Sequence, residues 1–230
     1  MRALVIEHDP LSTPDRVGEH LERRGARLEP FVVVEDINHP EVTATFPHNG
    51  HDLVVLMGSP WSVYEERLQG WVAPELDFIR RQASSGVPIL GICFGAQAMS
   101  AAMGGKVTRA MRPEYGWVSI DSEVDEIAGG PWFQYHHDEF TLPPGAVELA
   151  RNASGLQAFR TGKNLAVQFH PEMTAGLIAS WCEVDGGEEM VDVGIDPDQV
   201  IEESRLMEKT TQPSLERMLD WFLEDIAGAM

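Results

Sequence analysis

Four stretches of this chain are continuously apolar rather than alternating: Ala3-Leu4-Val5-Ile6, Phe31-Val32-Val33-Val34, Leu53-Val54-Val55-Leu56-Met57 and residues 87–92. Runs of this kind belong to strands covered on both faces, because both sets of side chains must be apolar. Helical signals lie between them. Thr13 is placed as an N-cap, with Pro14 at the first helical position, Val17 and Leu21 on one face, and Gly25 as the stop. Residues 74–83 open with Pro74-Glu75, and residues 94–103 are rich in Ala and Met. Strands that alternate with helices predict a three-layer α/β sandwich around a mostly parallel sheet. After Gly104-Gly105 the pattern changes. Residues 106–120, 146–151, 156–160 and 164–169 read as shorter strands between Gly and Pro turns, which predicts a small antiparallel extension. A helix is expected over 174–182, an acidic loop over 183–198 and an amphipathic helix over 213–227. In that last helix Leu215, Met218, Leu219, Phe222 and Ile226 share a face. The expected organisation is one domain over 1–182, with an acidic loop and a C-terminal helix (183–230) packed on it.

Composition narrows the function classes. The chain has 230 residues and is 43% hydrophobic, which is enough for a sizeable core. Its formal net charge is −20, from 37 acidic and 17 basic residues, so nucleic acid and anionic lipid would repel it. No apolar run approaches membrane-spanning length. Two cysteines without a Cys-x-x-Cys pair do not make a disulfide scaffold, and a reducing, cytoplasmic setting is expected. There is no Gly-x-x-x-x-Gly-Lys-Ser/Thr loop and no Gly-x-Gly-x-x-Gly after a strand.

The chemistry gathers at two strand ends. Residues 88–92 run into Cys93, which Gly91 and Gly95 flank, and a helix follows at once. A sharp strand-to-helix turn pushes its central side chain out of the backbone path, and flanking glycines relieve the crowding. A thiol there sits at a helix N-terminus, where free N–H groups and the dipole favour the thiolate. A thiolate nucleophile needs a base, and the base needs an orienting group. Of eight histidines, most fall in polar, loop-like stretches: His8, His20, His39, His48 and His51. His170 instead follows the apolar run Leu165–Phe169 directly, and Glu172 is two residues on. His136-His137-Asp138 and His48-Asn49-Gly50-His51 are poor metal sites, since adjacent histidines seldom converge on one ion.

Gly91-Ile92-Cys93-Phe94-Gly95-Ala96-Gln97 and Gln168-Phe169-His170-Pro171-Glu172 resemble the triad-type class I glutamine amidotransferases over about residues 1–182. Gly58-Ser59-Pro60, Glu114-Tyr115-Gly116-Trp117 and His136–Pro143 are most similar to its stand-alone members, among them the γ-glutamyl peptidases. The resemblance implies a flavodoxin-like sheet, no cofactor and no metal. It implies a Cys-His-Glu amidohydrolase that cleaves the γ-amide of glutamine or of γ-glutamyl compounds through a thioester. Cys93 would attack, His170 would carry the proton to the leaving amine, and Glu172 would hold His170. Backbone N–H groups of Ser59 and Phe94 would form the oxyanion hole. Gly58, Gln97, Gly116, Trp117 and His136 would contact the substrate. Position 59 is usually Gly in ammonia-donating members, and Ser here marks the stand-alone group. The alternative reading is a glutaminase subunit that feeds ammonia to a separate synthetase. Expected partners are thus a small γ-glutamyl molecule and either a second copy of the chain or a synthetase.

Overall fold

A computed structural model describes residues 1–48, 50–185 and 187–228. Asn49, within the His48–His51 stretch, and Gly186, Ala229 and Met230, within the 183–230 extension, lie outside them. Strands β1 (Arg2–Glu7), β2 (Arg27–Val32), β3 (Leu53–Leu56) and β4 (Ile89–Ile92) are parallel to one another. Strand β10 (Asn164–Val167) continues the parallel set beside β4. Strands β9 (Gly155–Thr161), β8 (Val147–Asn152) and the short β6 (Asp121–Ser122) extend it antiparallel. The sheet order is β2-β1-β3-β4-β10-β9-β8-β6. Strands β5 (Val107–Val118) and β7 (Trp132–Phe140) form a separate antiparallel ribbon.

The continuous apolar runs feed two cores. Ala3, Val5, Val55, Leu90 and Ile92 point to one face and pack with Val17 and Leu21 of α1 (Asp15–Arg23). Leu4, Ile6, Val54, Leu56 and Ile89 point to the other and meet α2 (Gln69–Ser85) and α3 (Phe94–Ala102) through Trp71, Phe78, Ile79 and Met99. Adjacent residues of one strand therefore serve opposite layers, which a pleated strand requires. Between β6 and β7 lies the one-turn helix α4 (Asp125–Ala128). Helices α5 (Ala175–Asp185) and α6 (Glu188–Asp192) lead into the long α7 (Pro197–Trp221). A π-helical turn over Phe222–Ile226 ends that helix. Leu215, Met218, Leu219, Phe222 and Ile226 all lie in the core on the α1 side, as their spacing predicts.

Several predicted boundaries move. Strand β2 occupies 27–32 rather than 31–34, because an edge strand tolerates Arg27, Glu29 and Pro30. Val33 and Val34 still hydrogen-bond to Glu7 and His8 carbonyls beyond its end. Pro14 is the residue before α1, not its first residue. Helix α2 starts at Gln69, so Pro74 is internal. The Gly70 carbonyl that Pro74 cannot serve accepts from Ala44 N–H at 3.4 Å instead. Residues 132–140 form a strand that is not among the strands expected from the sequence. The predicted loop 183–198 holds the end of α5 and all of α6, and α7 begins 16 residues before Pro213. Asp196 caps α7 by accepting Asp198 N–H at 3.0 Å, and Pro197 takes the first turn.

Candidate active site

Cys93 follows the last residue of β4, with φ +51° and ψ −107°, a conformation that ordinary residues seldom hold. Its N–H donates to Val167 O at 2.8 Å, which ties the elbow to β10. The flanking glycines are required by close packing. A Cβ at Gly91 would lie 2.4 Å from Met99 Sδ and 2.8 Å from the Gly95 backbone. A Cβ at Gly95 would lie 2.3 Å from Leu56 O. The sulfur meets Gln168 Nε2 at 3.6 Å and Tyr135 O at 3.8 Å.

Strands β4 and β10 are neighbours, with Val167 opposite Ile92, so both chains leave the sheet at the same end. Three residues past β10, His170 donates its N–H to Phe133 O at 2.8 Å, fixing the backbone against β7. Its Nδ1 lies 2.7 Å from Glu172 Oε1, and Nε2 is left without a settled hydrogen bond. The ring and the thiol are close neighbours: a Cβ at Gly58 would touch His170 Cε1 at 3.0 Å and Cys93 Cβ at 3.8 Å. His170 and Glu172 are both buried. Burial opposes a charge on the imidazole. Glu172 and the Cys93 sulfur outweigh burial and push its pKa up to about 10. These neighbours thus favour the protonated imidazole.

Gly58, Ser59 and Pro60 pass over the elbow. The N–H of Phe94 is the first of α3 and has no intrahelical acceptor. Ser59 Oγ accepts Trp61 N–H at 3.2 Å, which shapes the turn. Beneath this loop lies a residue that the sequence reading assigns to a polar loop. His8 is fully buried, donates from Nδ1 to Gly58 O at 2.8 Å, and faces Glu75 through Nε2 at 3.0 Å. Burial disfavours its charge, but Glu75 and the Gly58 carbonyl prevail and raise its pKa. The signal that could have found it is the one that found His170, a histidine directly after an apolar strand.

Two cavities meet at Cys93, and Ser59, Pro60 and Tyr135 line both. The smaller, about 70 Å³, holds Gln97, His136, His137, Asp138 and Glu189. The larger, about 190 Å³, holds Gly58, His170, Leu11, Ile37, Trp181 and Val184. His136 donates from Nδ1 to Asp138 O at 2.9 Å, and its Nε2 lies 3.3 Å from Glu114 Oε2. His137 pairs instead with Glu189 at 3.1 Å. The two adjacent imidazoles therefore serve different carboxylates. Among the described residues no group of three or more His, Cys, Asp or Glu side chains could hold a metal ion. Nor is any helix among them long and apolar enough to cross a membrane. Gly116 and Trp117 line neither cavity. Gly116 is paired opposite Gln134 in the ribbon, and Trp117 Nε1 donates to Ser204 of α7 at 2.8 Å. Glu189, on the unexpected helix α6, enters the smaller cavity in their place.

Comparison with known proteins identifies the family and the fold. The family described as glutamine amidotransferase class-I matches residues 14–180. The glutamine-hydrolyzing GMP synthase of Thermomicrobium roseum is 36% identical over 131 residues, 52% of this chain and 23% of that protein. The same enzyme of Mycobacterium leprae is 33% identical over 159 residues, 65% of this chain and 28% of its own. The match thus spans about a quarter of these relatives' length. A glutamine amidotransferase structure from Thermotoga maritima superposes with a TM-score of 0.83 at 25% identity, covering 98% of this chain and 99% of its own. One from Methylobacillus flagellatus, at 21% identity, shares the fold with a TM-score of 0.79 over 98% of this chain and 95% of its own. With a family match that runs over residues 14–180, the chain belongs to the class I glutamine amidotransferases.

Proposed function

We propose that the protein is a Cys-His-Glu amidohydrolase that cleaves the γ-amide of glutamine or of a γ-glutamyl compound. The observation that carries this reading is a strained elbow thiol lining the same cavity as an imidazole that Glu172 holds at 2.7 Å. The Cys93 thiolate adds to the amide carbon, and the carbonyl becomes an oxyanion. Backbone N–H groups of Phe94 and Ser59 receive it, each such donor being worth about 3 kcal/mol of barrier. The C–N bond then breaks as the His170 imidazolium gives its proton to the departing nitrogen, leaving a thioester and a neutral imidazole. That imidazole takes a proton from water, the hydroxide attacks the thioester, and glutamate departs with the thiolate and imidazolium restored. Gln97, His136 and the acidic groups of the smaller cavity suit the α-amino acid end. The residues over 1–182 carry all of this machinery except Glu189, and the segment from 183 onward acts as an extension of the same body.

A second reading has support of its own. The relatives matched over about a quarter of their length are GMP synthases, so this chain would correspond to an ammonia-producing portion serving a synthetase partner. The experiment is incubation of the purified chain with glutamine and a γ-glutamyl amide panel, followed by labelling with a glutamine-mimicking chloroketone. Glutamate release with labelling at Cys93 supports the hydrolase. Release only in the presence of a synthetase selects the second reading. An unreactive Cys93 refutes both.

A further inference from the structure

Resting on the proposed hydrolase reading, we infer that the preferred substrate is the γ-glutamyl amide of an apolar amine, whose carbon chain fills the larger cavity. The two cavities on either side of Cys93 differ in chemistry, and the mechanism orients a substrate between them. A γ-glutamyl group ends in an ammonium and a carboxylate, which need polar partners. Those are found in the smaller cavity, with Gln97, His136, His137 and Glu189. The scissile nitrogen must point to the imidazole that protonates it. His170 lines the larger cavity and not the smaller one. The leaving amine therefore projects into the larger cavity.

That cavity is walled by Leu11, Ile37, Pro60, Tyr135, Trp181 and Val184. Two of its polar side chains are already engaged. Asp9 accepts Leu11 N–H at 2.7 Å through one oxygen and Ser12 Oγ–H at 2.5 Å through the other. The indole N–H of Trp181 is given to Leu11 O at 3.0 Å, so the ring presents carbon to the space and lies 5.4 Å from the His170 ring. Ammonia, the leaving group from glutamine itself, has nothing to fill such a volume. A space of about 190 Å³ is many times what a single water needs, so it admits a chain of several carbon atoms. Burying that much carbon favours the larger amine in the transition state as well as in the ground state, since the amine stays put until the C–N bond breaks.

The test is a homologous series, γ-glutamyl methylamide, propylamide and isopentylamide, with γ-glutamylputrescine as a cationic control of similar length. The simple alkylamines have closely similar basicity, so the slope of kcat/KM along the series reads the cavity and not the leaving group. A rise of at least tenfold from methyl to isopentyl is expected, with the putrescine amide below the isopentylamide. Val184, 55% exposed on α5, can be changed without disturbing the core, and Val184→Asp should flatten the slope at least threefold. A flat or falling series, a superior cationic amide, or a slope untouched by Val184→Asp overturns the inference. If glutamine is hydrolysed and Cys93 is labelled while the series is flat, only the apolar-amine assignment falls. If no member turns over and Cys93 resists labelling, the hydrolase reading falls with it.

Discussion

Gly58→Ala is the sharpest probe of how the site is held. The added methyl would sit 3.0 Å from His170 Cε1, whereas carbon atoms pack at about 3.5–4.0 Å. About 0.5–1 Å must therefore be found. The loop cannot easily yield it. His8 holds Gly58 O from behind at 2.8 Å, and Met57 is tied to Ile6 O at 3.0 Å and to Gly95 N–H at 3.1 Å. The imidazole is the softer side, although Glu172 restrains it at 2.7 Å. Overpacking of this size costs about 1–3 kcal/mol of stability. A reacting group displaced by about 1 Å costs on the order of 100-fold in rate. The expected result is a folded variant, with kcat down by roughly 10- to 100-fold and chloroketone alkylation of Cys93 slowed in parallel. The assay is steady-state glutaminase kinetics beside a thermal melt. Wild-type kcat in a folded Gly58→Ala protein would show that the ring does not work from this position.

The remaining predictions separate strain, charge and packing. Cys93→Ala and Cys93→Gly should both abolish turnover. The Gly variant should melt higher, because relief of about 1–3 kcal/mol of backbone strain at φ +51° exceeds the roughly 0.5–1 kcal/mol entropic cost of glycine; equal melting temperatures would deny the strain. Glu172→Gln removes the charge that most raises the His170 pKa, so the alkaline limb of the kcat profile, expected near pH 10, should move toward neutrality, with a milder loss of rate than in Cys93→Ala. Because the folded pKa lies above the ordinary value of 6.5, this imidazolium stabilises the fold fully below that pH and loses its contribution toward pH 10. Urea midpoints should fall over that window in the wild type and less in Glu172→Gln. Leu219→Ala, in the core between α7 and the sheet, should cost about 2–5 kcal/mol in chemical denaturation and leave KM unchanged.

That Cys93, His170 and Glu172 come together was legible in the sequence because their placement is local. Each member sits at or just beyond a strand end, within a few residues of an apolar run, and neighbouring parallel strands bring their carboxyl ends together without further information. His8 has the same placement but escaped notice, because Glu75, the partner that explains it, is 67 residues away. Strand β7 was hidden for a related reason. Gln134, His136 and Asp138 occupy three of its buried positions, so the apolar alternation that betrays a strand is broken in its middle. The upstream half of α7 shows only scattered buried positions, Val200, Ser204 and Thr211, and gives no apolar stripe before Leu215.

These misses share a cause that ties fold to function. A buried polar side chain is costly unless every hydrogen-bonding group finds a partner, so a chain keeps one inside only where something compensates for it. His8 is compensated by Gly58 O and Glu75, and Asp138 by the hydroxyls of Ser62 and Tyr64 at 2.5 and 2.8 Å. Glu114 is compensated by Asn152 and Gln157 at 2.7 and 3.0 Å. Each of these groups either lines the smaller cavity or contacts a residue that borders one of the two. At His8 and along β7, the positions that break the apolar pattern are therefore supports of the site, and reading them needs partners that lie far off in sequence.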